Sequence, residues 1–133
     1  MNTLIRNVPI AKVGKVFDGR EITPHMLERC RDTFNPNYYQ PSVGEFSDDP
    51  MVSVAVRNQG KVLSLTIDND MLFADIEMFM SPEAVRKMKL YPTIAYMEGG
   101  NSKTPALIDV ILAEIPNRDD NIMIKDCDIS KAG

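Results

Sequence analysis

The stretch MVSVAVRNQGKVLSLTIDNDMLFADIEM, residues 51–78, decides the fold because apolar and polar residues alternate through most of its length. Three alternating runs cover residues 51–56, 62–67 and 72–78, and the turn sequences NQG and DND separate them. Alternation with a period of two gives each strand one apolar and one polar face. The stretch therefore predicts three consecutive antiparallel strands joined by tight turns.

The residues before this meander predict a strand, a turn and a capped helix. The sequence LIRNVPIAKVGKVFD, residues 4–18, indicates one bent strand or two short ones, and Pro9 and Gly14 mark an edge or a bulge. Gly19 in the DGR sequence favours a turn because glycine tolerates a positive φ. Thr23 as the N-cap and Pro24 at the first helical position predict a helix that ends at Asn35.

The residues after the meander predict a second helix and two further strands. SPEAVRKMKL at 81–90 repeats the helix start, while YPTIAYME at 91–98 and ALIDVILAEI at 106–115 are typical of strands. The last run is almost continuously apolar, which favours a central strand covered on both faces. The order predicts an α+β domain over residues 1–120, with a mainly antiparallel β-barrel or strongly bent sheet of about six strands and two short flanking helices. Residues 121–133 are then expected to form a C-terminal arm.

Composition limits the chain to one ordinary globular domain. Its 133 residues are 44% hydrophobic and 26% charged, which suffices for one core. The net charge of −4 and the scattered lysines and arginines argue against nucleic-acid binding, which needs a basic stripe. No apolar run approaches the roughly 18 residues of a membrane span, so we expect no membrane partner.

Few residues in the sequence are suited to metal or cofactor chemistry. One histidine and two distant cysteines, Cys30 and Cys127, cannot supply the four ligands of a zinc site. The DND turn at 68–70 lacks the glycine and the twelfth-position glutamate of an EF-hand loop. We therefore expect no metal and no cofactor, and two reduced thiols in a protein made in the cytosol.

Four short motifs carry a resemblance to a known family. They are DGREI at 18–22, NPNYY at 35–39, YPTIAY at 91–96 and DVILAEIPNRDD at 109–120. Together they resemble the GPO-type capsid-scaffolding serine proteases of tailed phages, over residues 8–120. The resemblance implies a protease-like fold similar to the herpesvirus-type assembly proteases (assemblin-like), with a closed or nearly closed β-barrel flanked by helices. The family continues into a helical scaffolding segment, which we expect this chain to lack.

The resemblance also places the catalytic positions of the family on this sequence. The acidic member falls on Asp18, the nucleophile on Thr93, and the histidine on Phe46 or Ser47. Neither Phe46 nor Ser47 is a base, and a hydroxyl nucleophile needs an adjacent base to become reactive. His25 is expected to be a surface residue in the first turn of the helix. Asp18, Phe46 and Thr93 are therefore interpreted as vestigial, and no catalytic site is expected.

A protease-like domain without its base suggests a structural role in the virion. We expect a non-enzymatic capsid decoration (cement) protein that binds the major capsid protein shell as a homodimer or trimer. The acidic charge favours the outer surface of the capsid, away from packaged DNA, after synthesis in the host cytoplasm. Two alternatives stay open, namely a transient head-assembly factor and a residual head-maturation protease with Thr93 as nucleophile.

Three segments are predicted to make the capsid contacts. The proline-rich loop at 35–50 offers aromatic residues, which are rigid interface anchors at low entropic cost. The EGGNSKTP loop at 98–105 adds a lysine, and the tail from residue 121 adds a short apolar patch. The predicted capsid-binding residues are Tyr38, Tyr39, Phe46, Lys103, Ile122, Met123 and Ile124.

Overall fold

A curled sheet of seven strands forms the body of the molecule in the computed structural model, which describes residues 2–45, 58–101 and 103–131. The order of strands across the sheet is β7-β8-β4-β5-β6-β1-β9, and β2 pairs with β3 as a separate small hairpin. All neighbouring pairs in the large sheet are antiparallel except β4 and β8. The elements in chain order are β1 Thr3–Lys12, β2 Gly14–Lys15, β3 Glu21–Ile22, α1 Pro24–Asp32, β4 Ser42–Glu45, β5 Gly60–Asp68, β6 Met71–Met78, α2 Pro82–Val85, β7 Tyr91–Tyr96, β8 Leu107–Ala113, a short 3₁₀ helix Ile124–Asp126, and β9 Asp128–Lys131.

The sheet curls into a half-barrel whose interior is the hydrophobic core. Strand β1 packs against β7 across the interior, although the two strands lie far apart in the order of the sheet. The amide of Ile124, just before β9, donates to the carbonyl of Leu90, just before β7, at 2.8 Å. The predicted α+β class is confirmed, with a strongly bent, mainly antiparallel sheet of seven strands and two short helices.

Two of the three runs of the predicted meander are confirmed as β5 and β6. Asn69 and Asp70 join them with φ values of 48° and 64°. Two successive positive φ values define the turn whose twist suits a two-residue hairpin, and Asn and Asp tolerate them better than most residues. The predicted strand at 51–56 lies outside the described residues.

The first strand has two irregularities in its pairing with β6. Its pairing with β6 shifts between Ile5 and Val8 and again between Pro9 and Ala11. The second shift confirms the bulge interpretation of Pro9, and the edge interpretation also fits, because β9 pairs only with residues 3–6 of β1 and stops before Pro9. A bulge releases a residue from the ladder of hydrogen bonds, which lets a proline without an amide hydrogen sit inside the sheet.

Both helices begin as their sequences predict. The Thr23 hydroxyl accepts a hydrogen bond from the amide of Met26 at 3.2 Å, and the Ser81 hydroxyl accepts one from Ala84 at 3.2 Å. Each cap is followed by a proline at the first helical position. Leu27 on α1 is buried in the core, so the apolar face of this helix covers the sheet. No helix among the described residues is long and apolar enough to span a membrane.

The tail is part of the domain, contrary to the prediction of a separate arm at 121–133. Its described part forms the 3₁₀ helix and β9, and Ile129 of β9 pairs with Ile5 of β1. The side chain of Ile124 has no exposed surface. A boundary at residue 120 therefore cuts through the core, because Ile124 of the tail belongs to it.

Candidate functional site

An open groove of about 620 Å³ lies between the C-terminal end of α1 and the turn at 101–104. This volume is within the range of about 300–1,000 Å³ that is usual for binding sites. Tyr38 lines one wall and Lys103 lines the other, so the groove joins residues from two of the predicted contact segments. We call this feature the α1 groove.

The first wall of the α1 groove is a closed turn that follows α1. The side-chain oxygen of Asn35 accepts a hydrogen bond from the amide of Asn37 at 3.1 Å. The carbonyl of Asn35 accepts from the amides of Tyr38 and Tyr39, both at 3.0 Å. These bonds fix the backbone, and the side chain of Tyr38 is 74% exposed. The turn therefore presents an aromatic ring at a fixed position, as an interface anchor requires.

The second wall is a turn organised by Asn101. Its side-chain oxygen accepts from the amide of Lys103 at 2.8 Å, and its carbonyl accepts from the amide of Thr104 at 3.1 Å. Gly100 has a φ of +78°, and a Cβ there would lie 2.6 Å from Cβ of Thr104. Only glycine fits this position, and the turn holds exposed Lys103 at its tip.

Helix α1 ties down both ends of the loop that carries the second wall. The guanidinium of Arg29 donates to the carbonyls of Met97 and Gly99 at 3.1 and 2.7 Å. The hydroxyl of Thr33 accepts from the amide of Ala106 at 3.0 Å. The two walls of the α1 groove are thus connected through one helix, which fixes the distance between them.

Arg29→Ala should loosen the second wall while the fold persists. The variant loses three hydrogen bonds from a charged donor, to the hydroxyl of Tyr96 and to the carbonyls of Met97 and Gly99, and each such bond contributes about 1.5–3 kcal/mol. Water replaces part of this lost free energy, because the site is half-exposed. We therefore expect backbone amides at 97–101 to exchange with solvent about tenfold faster. Hydrogen exchange followed by mass spectrometry measures this rate. Arg31→Ala is the matched control, because Arg31 forms only an exposed ion pair with Asp32. Equal exchange in both variants would contradict the clamp.

Tyr39 belongs to the scaffold that supports the groove. Its hydroxyl donates to the carbonyl of Ile108 on β8 at 2.9 Å. Burial raises the pKa of Tyr39, and the negative charge of Asp109 adds to the effect. Among the two predicted tyrosine anchors, Tyr38 lines the groove and Tyr39 packs toward the sheet.

Asp109→Asn should raise the melting temperature modestly at neutral pH. The Asp109 carboxylate accepts a hydrogen bond from the amide of Ser42 at 3.1 Å, and burial raises its pKa while this bond opposes the rise. Because the folded pKa lies above the unfolded value of about 3.9, the carboxyl favours folding below that pH and loses this contribution as pH rises through the folded pKa. Asparagine keeps an acceptor oxygen without the charge. The gain should disappear near pH 4 in thermal melts, and a gain that persists there would contradict the assignment.

Of the two described catalytic positions of the resembled family, Thr93 lies at a second, small cavity of about 40 Å³ and Asp18 does not. Thr93 of β7 lines it, and so does Arg20, whose amide and guanidinium both bind the Asp18 carboxylate. These hydrogen bonds lower the pKa of Asp18, and the bond from the Arg20 amide has the largest effect. Asp18 itself is exposed and does not line the cavity. Phe46 and Ser47 lie outside the described residues.

The hydroxyl of Thr93 is bonded to an amide and not to a base. The Nδ2 group of Asn117 donates to Oγ1 of Thr93 at 2.7 Å, and Asn117 accepts in turn from Asn121 at 2.8 Å. A neutral amide cannot take the proton of a hydroxyl, so this contact does not activate Thr93 as a nucleophile. His25 is exposed in the first turn of α1 and does not line this cavity.

The predicted tail contacts separate into three environments. Ile122 is 42% exposed, Met123 is partly buried, and Ile124 has no exposed surface. The prediction that Ile124 contacts the capsid is wrong, because its side chain is in the core. None of the three lines the α1 groove.

Neither cysteine is suited to chemistry at a site. Burial raises the pKa of Cys30 to about 12 and that of Cys127 to about 11. Both thiols are free, and at neutral pH both are protonated and poorly nucleophilic. Within the described parts of the chain, no group of three His, Cys, Asp or Glu side chains is placed to hold a metal ion.

Sequence reasoning missed the residues that support the α1 groove. Helical spacing places Arg29 on the polar face of α1, which predicts a charged side chain in contact with solvent. The contacts of Arg29 and Thr33 with the 97–106 segment depend on tertiary structure, so no local pattern reveals them. The glycines and Asn101 in EGGNSKTP do signal a tight turn, and that signal identifies the second wall.

Comparisons with protein-family models, with curated proteins and with solved structures found no match to this chain.

Proposed function

We propose that the chain is a non-enzymatic virion structural protein of a phage, a decoration (cement) protein that binds the shell of major capsid protein through the α1 groove. One observation carries the proposal. Tyr38 and Lys103, each predicted as a capsid contact from a different segment, line the same groove. Exposed aromatic and charged residues on rigid turns around a concave surface are typical of interaction sites.

The protease-like, assemblin-like origin of the fold is part of the proposal. The DVILAEIPNRDD and DGREI motifs support it, because Asn117 from the first and Arg20 from the second line one cavity with Thr93. The carbonyl of Asn117 also accepts a hydrogen bond from the amide of Phe17 at 2.8 Å. Residues from motifs that resemble those of the GPO-type proteases thus lie together around Thr93, which supports this part of the proposal.

The proposed location is the outer face of the capsid, reached after synthesis in the host cytoplasm. The net charge of −4 supports this location because an acidic protein is repelled by packaged DNA. A dimer or trimer would span neighbouring capsomers and bind them with the combined strength of several weak contacts.

Copy number in purified mature virions tests the proposed function. Quantitative mass spectrometry against the major capsid protein should give a ratio of one or a simple fraction, since a decoration protein follows the lattice of the shell. A handful of copies would contradict the proposal and favour the protease alternative. Presence in assembling particles but absence from finished ones would favour the transient head-assembly factor.

Thr93→Ala should leave shell binding unchanged within about twofold, since the side chain lies outside the α1 groove. The same variant also tests the residual-protease alternative. Wild-type protein, Thr93→Ala and Glu21→Gln are each incubated with purified capsid protein. Glu21→Gln is included because Glu21 is the carboxylate that lines the cavity with Thr93. New capsid termini produced by wild type and absent with Thr93→Ala would establish hydrolysis and overturn the non-enzymatic proposal.

A further inference from the structure

We infer that the α1 groove takes an extended segment of the shell protein that places an acidic side chain opposite Lys103 and an apolar side chain against Tyr38. The inference rests on the proposed function and adds the chemistry of the partner. Three properties of the groove lead to it, namely its charge, its hydrogen-bonding groups and its aromatic wall.

The charge of the groove requires an acidic partner group. Lys103 is exposed and forms no ion pair within the described residues. The one carboxylate that lines the groove, Asp32, is already bonded to Nε of Arg31 at 2.9 Å. Lys103 therefore adds an unmatched positive charge to a protein with a net charge of −4. A carboxylate is the complementary group on a protein partner, and it would select against partners that present a basic residue there.

The hydrogen-bonding groups of the groove suit an extended backbone. Asn35 and Asn101 use their side-chain oxygens within their own turns, and their NH₂ groups have no acceptor in the described parts of the chain. One such donor stands on each wall. At the end of α1 the carbonyls of Arg29 and Arg31 already accept from the amides of Thr33 and Phe34, so the donors of the two asparagines are the groups left for a partner. An extended segment offers free carbonyls to both donors, whereas a helix has already paired its own.

The aromatic wall supplies the apolar contact. The ring of Tyr38 is 74% exposed on a turn whose backbone is fixed before binding, so a partner that covers the ring does not also have to order the backbone at this position. An apolar side chain or a proline on the extended segment would lie against the ring. The width of the groove sets how many residues separate this side chain from the acidic one. Aromatic anchors of this kind are enriched among interface hot spots.

Binding isotherms on purified shells test the inference. Tyr38→Ala should weaken binding about tenfold or more, and Lys103→Gln about tenfold. Lys103→Arg should stay within about threefold of wild type, while Lys103→Glu should bind worse than Lys103→Gln because it repels the carboxylate. Raising salt should weaken wild-type binding more steeply than that of Lys103→Gln. The controls are Phe17→Ala, an aromatic that is 61% exposed outside the groove, and Lys87→Gln on the exposed side of the segment after α2.

The outcomes separate this inference from the proposed function. If wild-type protein does not bind shells, the proposed function fails. If wild type binds and the Tyr38 and Lys103 variants bind equally well, the function stands and the assignment of the groove is wrong. Lys103→Glu binding as tightly as Lys103→Arg would exclude an acidic partner group. Sedimentation velocity gives the last readout, because dissociation of a free oligomer by the same variants would assign the groove to a second copy of this chain.

Discussion

Replacing Ile124 with alanine should reduce the free energy of unfolding by about 2–5 kcal/mol, the range for removing a large aliphatic side chain from a core. The side chain has no exposed surface, and its backbone amide joins the two edges of the curled sheet through Leu90. The alanine variant leaves a cavity where β7 and β9 come together. Because a domain of this size is stable by only about 5–15 kcal/mol, a loss of this size is easily measured.

Urea denaturation of the full chain, followed by circular dichroism, measures the effect. Ile122→Ala is the matched control. It removes the same atoms two positions earlier from a side chain that is 42% exposed, and it should change the stability by about 0.5 kcal/mol at most. A loss of about 0.5 kcal/mol or less in both variants would mean that the tail is a peripheral arm after all.

This result bears on how the tail can be tested in capsid binding. Deleting residues 121–133 is expected to weaken attachment, but the deletion also removes Ile124 from the core and β9 from the sheet. Lost attachment of that variant would report unfolding as readily as a missing contact. Ile122→Ala separates the two effects because it alters an exposed side chain and leaves the core intact.

The sequence reveals structure best where the signal is local. The caps at Thr23 and Ser81 and the DND turn between β5 and β6 are each encoded within a few residues, and all are found where they are predicted. The parallel pairing of β4 with β8 and the pairing of β9 with β1 join residues distant in sequence. Alternation of apolar residues identifies a strand but does not say which strand lies beside it.

In the candidate site, too, local features are visible in the sequence and long-range contacts are not. The loop signals pick out Tyr38 and Lys103 singly, since an aromatic in a proline-rich loop and a lysine in a glycine-rich turn are both visible in the sequence. Their meeting in one groove follows from the position of α1 over the sheet. The apolar patch of the tail is ambiguous for a physical reason, because a short apolar run suits a docking surface and a core position equally well. Burial of Ile124 decides between them.

Gly60→Ala should cost about 3 kcal/mol, at the upper end of the usual range for adding a methyl group where there is no room. A Cβ on Gly60 would lie 2.5 Å from the carbonyl oxygen of Glu77 and 2.8 Å from Sδ of Met78. The sulfur belongs to a flexible side chain and can move. The carbonyl oxygen belongs to the backbone of β6, so relief of the clash requires the two strands to separate.

The position matters because Gly60 joins the two halves of the sheet. Among the described residues, strands β4 and β5 pair at two positions, Ser42 with Lys61 and Val43 with Gly60. On one side of this junction lie β4, β8 and β7, next to the α1 groove, and on the other lie β5, β6, β1 and β9. Displacing β5 from β6 at Gly60 therefore disturbs the link between the meander and the half of the sheet that carries the groove.

Hydrogen exchange and urea denaturation together check this expectation. In Gly60→Ala, amides of β4 should lose protection more than amides of β1, because the disturbance begins at the junction. Ser64→Ala is the matched control on the same strand, since Ser64 pairs with Asp75 and lies beyond the reach of β4. If the two variants lose equal stability and β4 keeps its protection, then the close contact at Gly60 relaxes without moving the strands. The groove would then depend on α1 alone for its position, and Arg29→Ala would become the variant that alters it most.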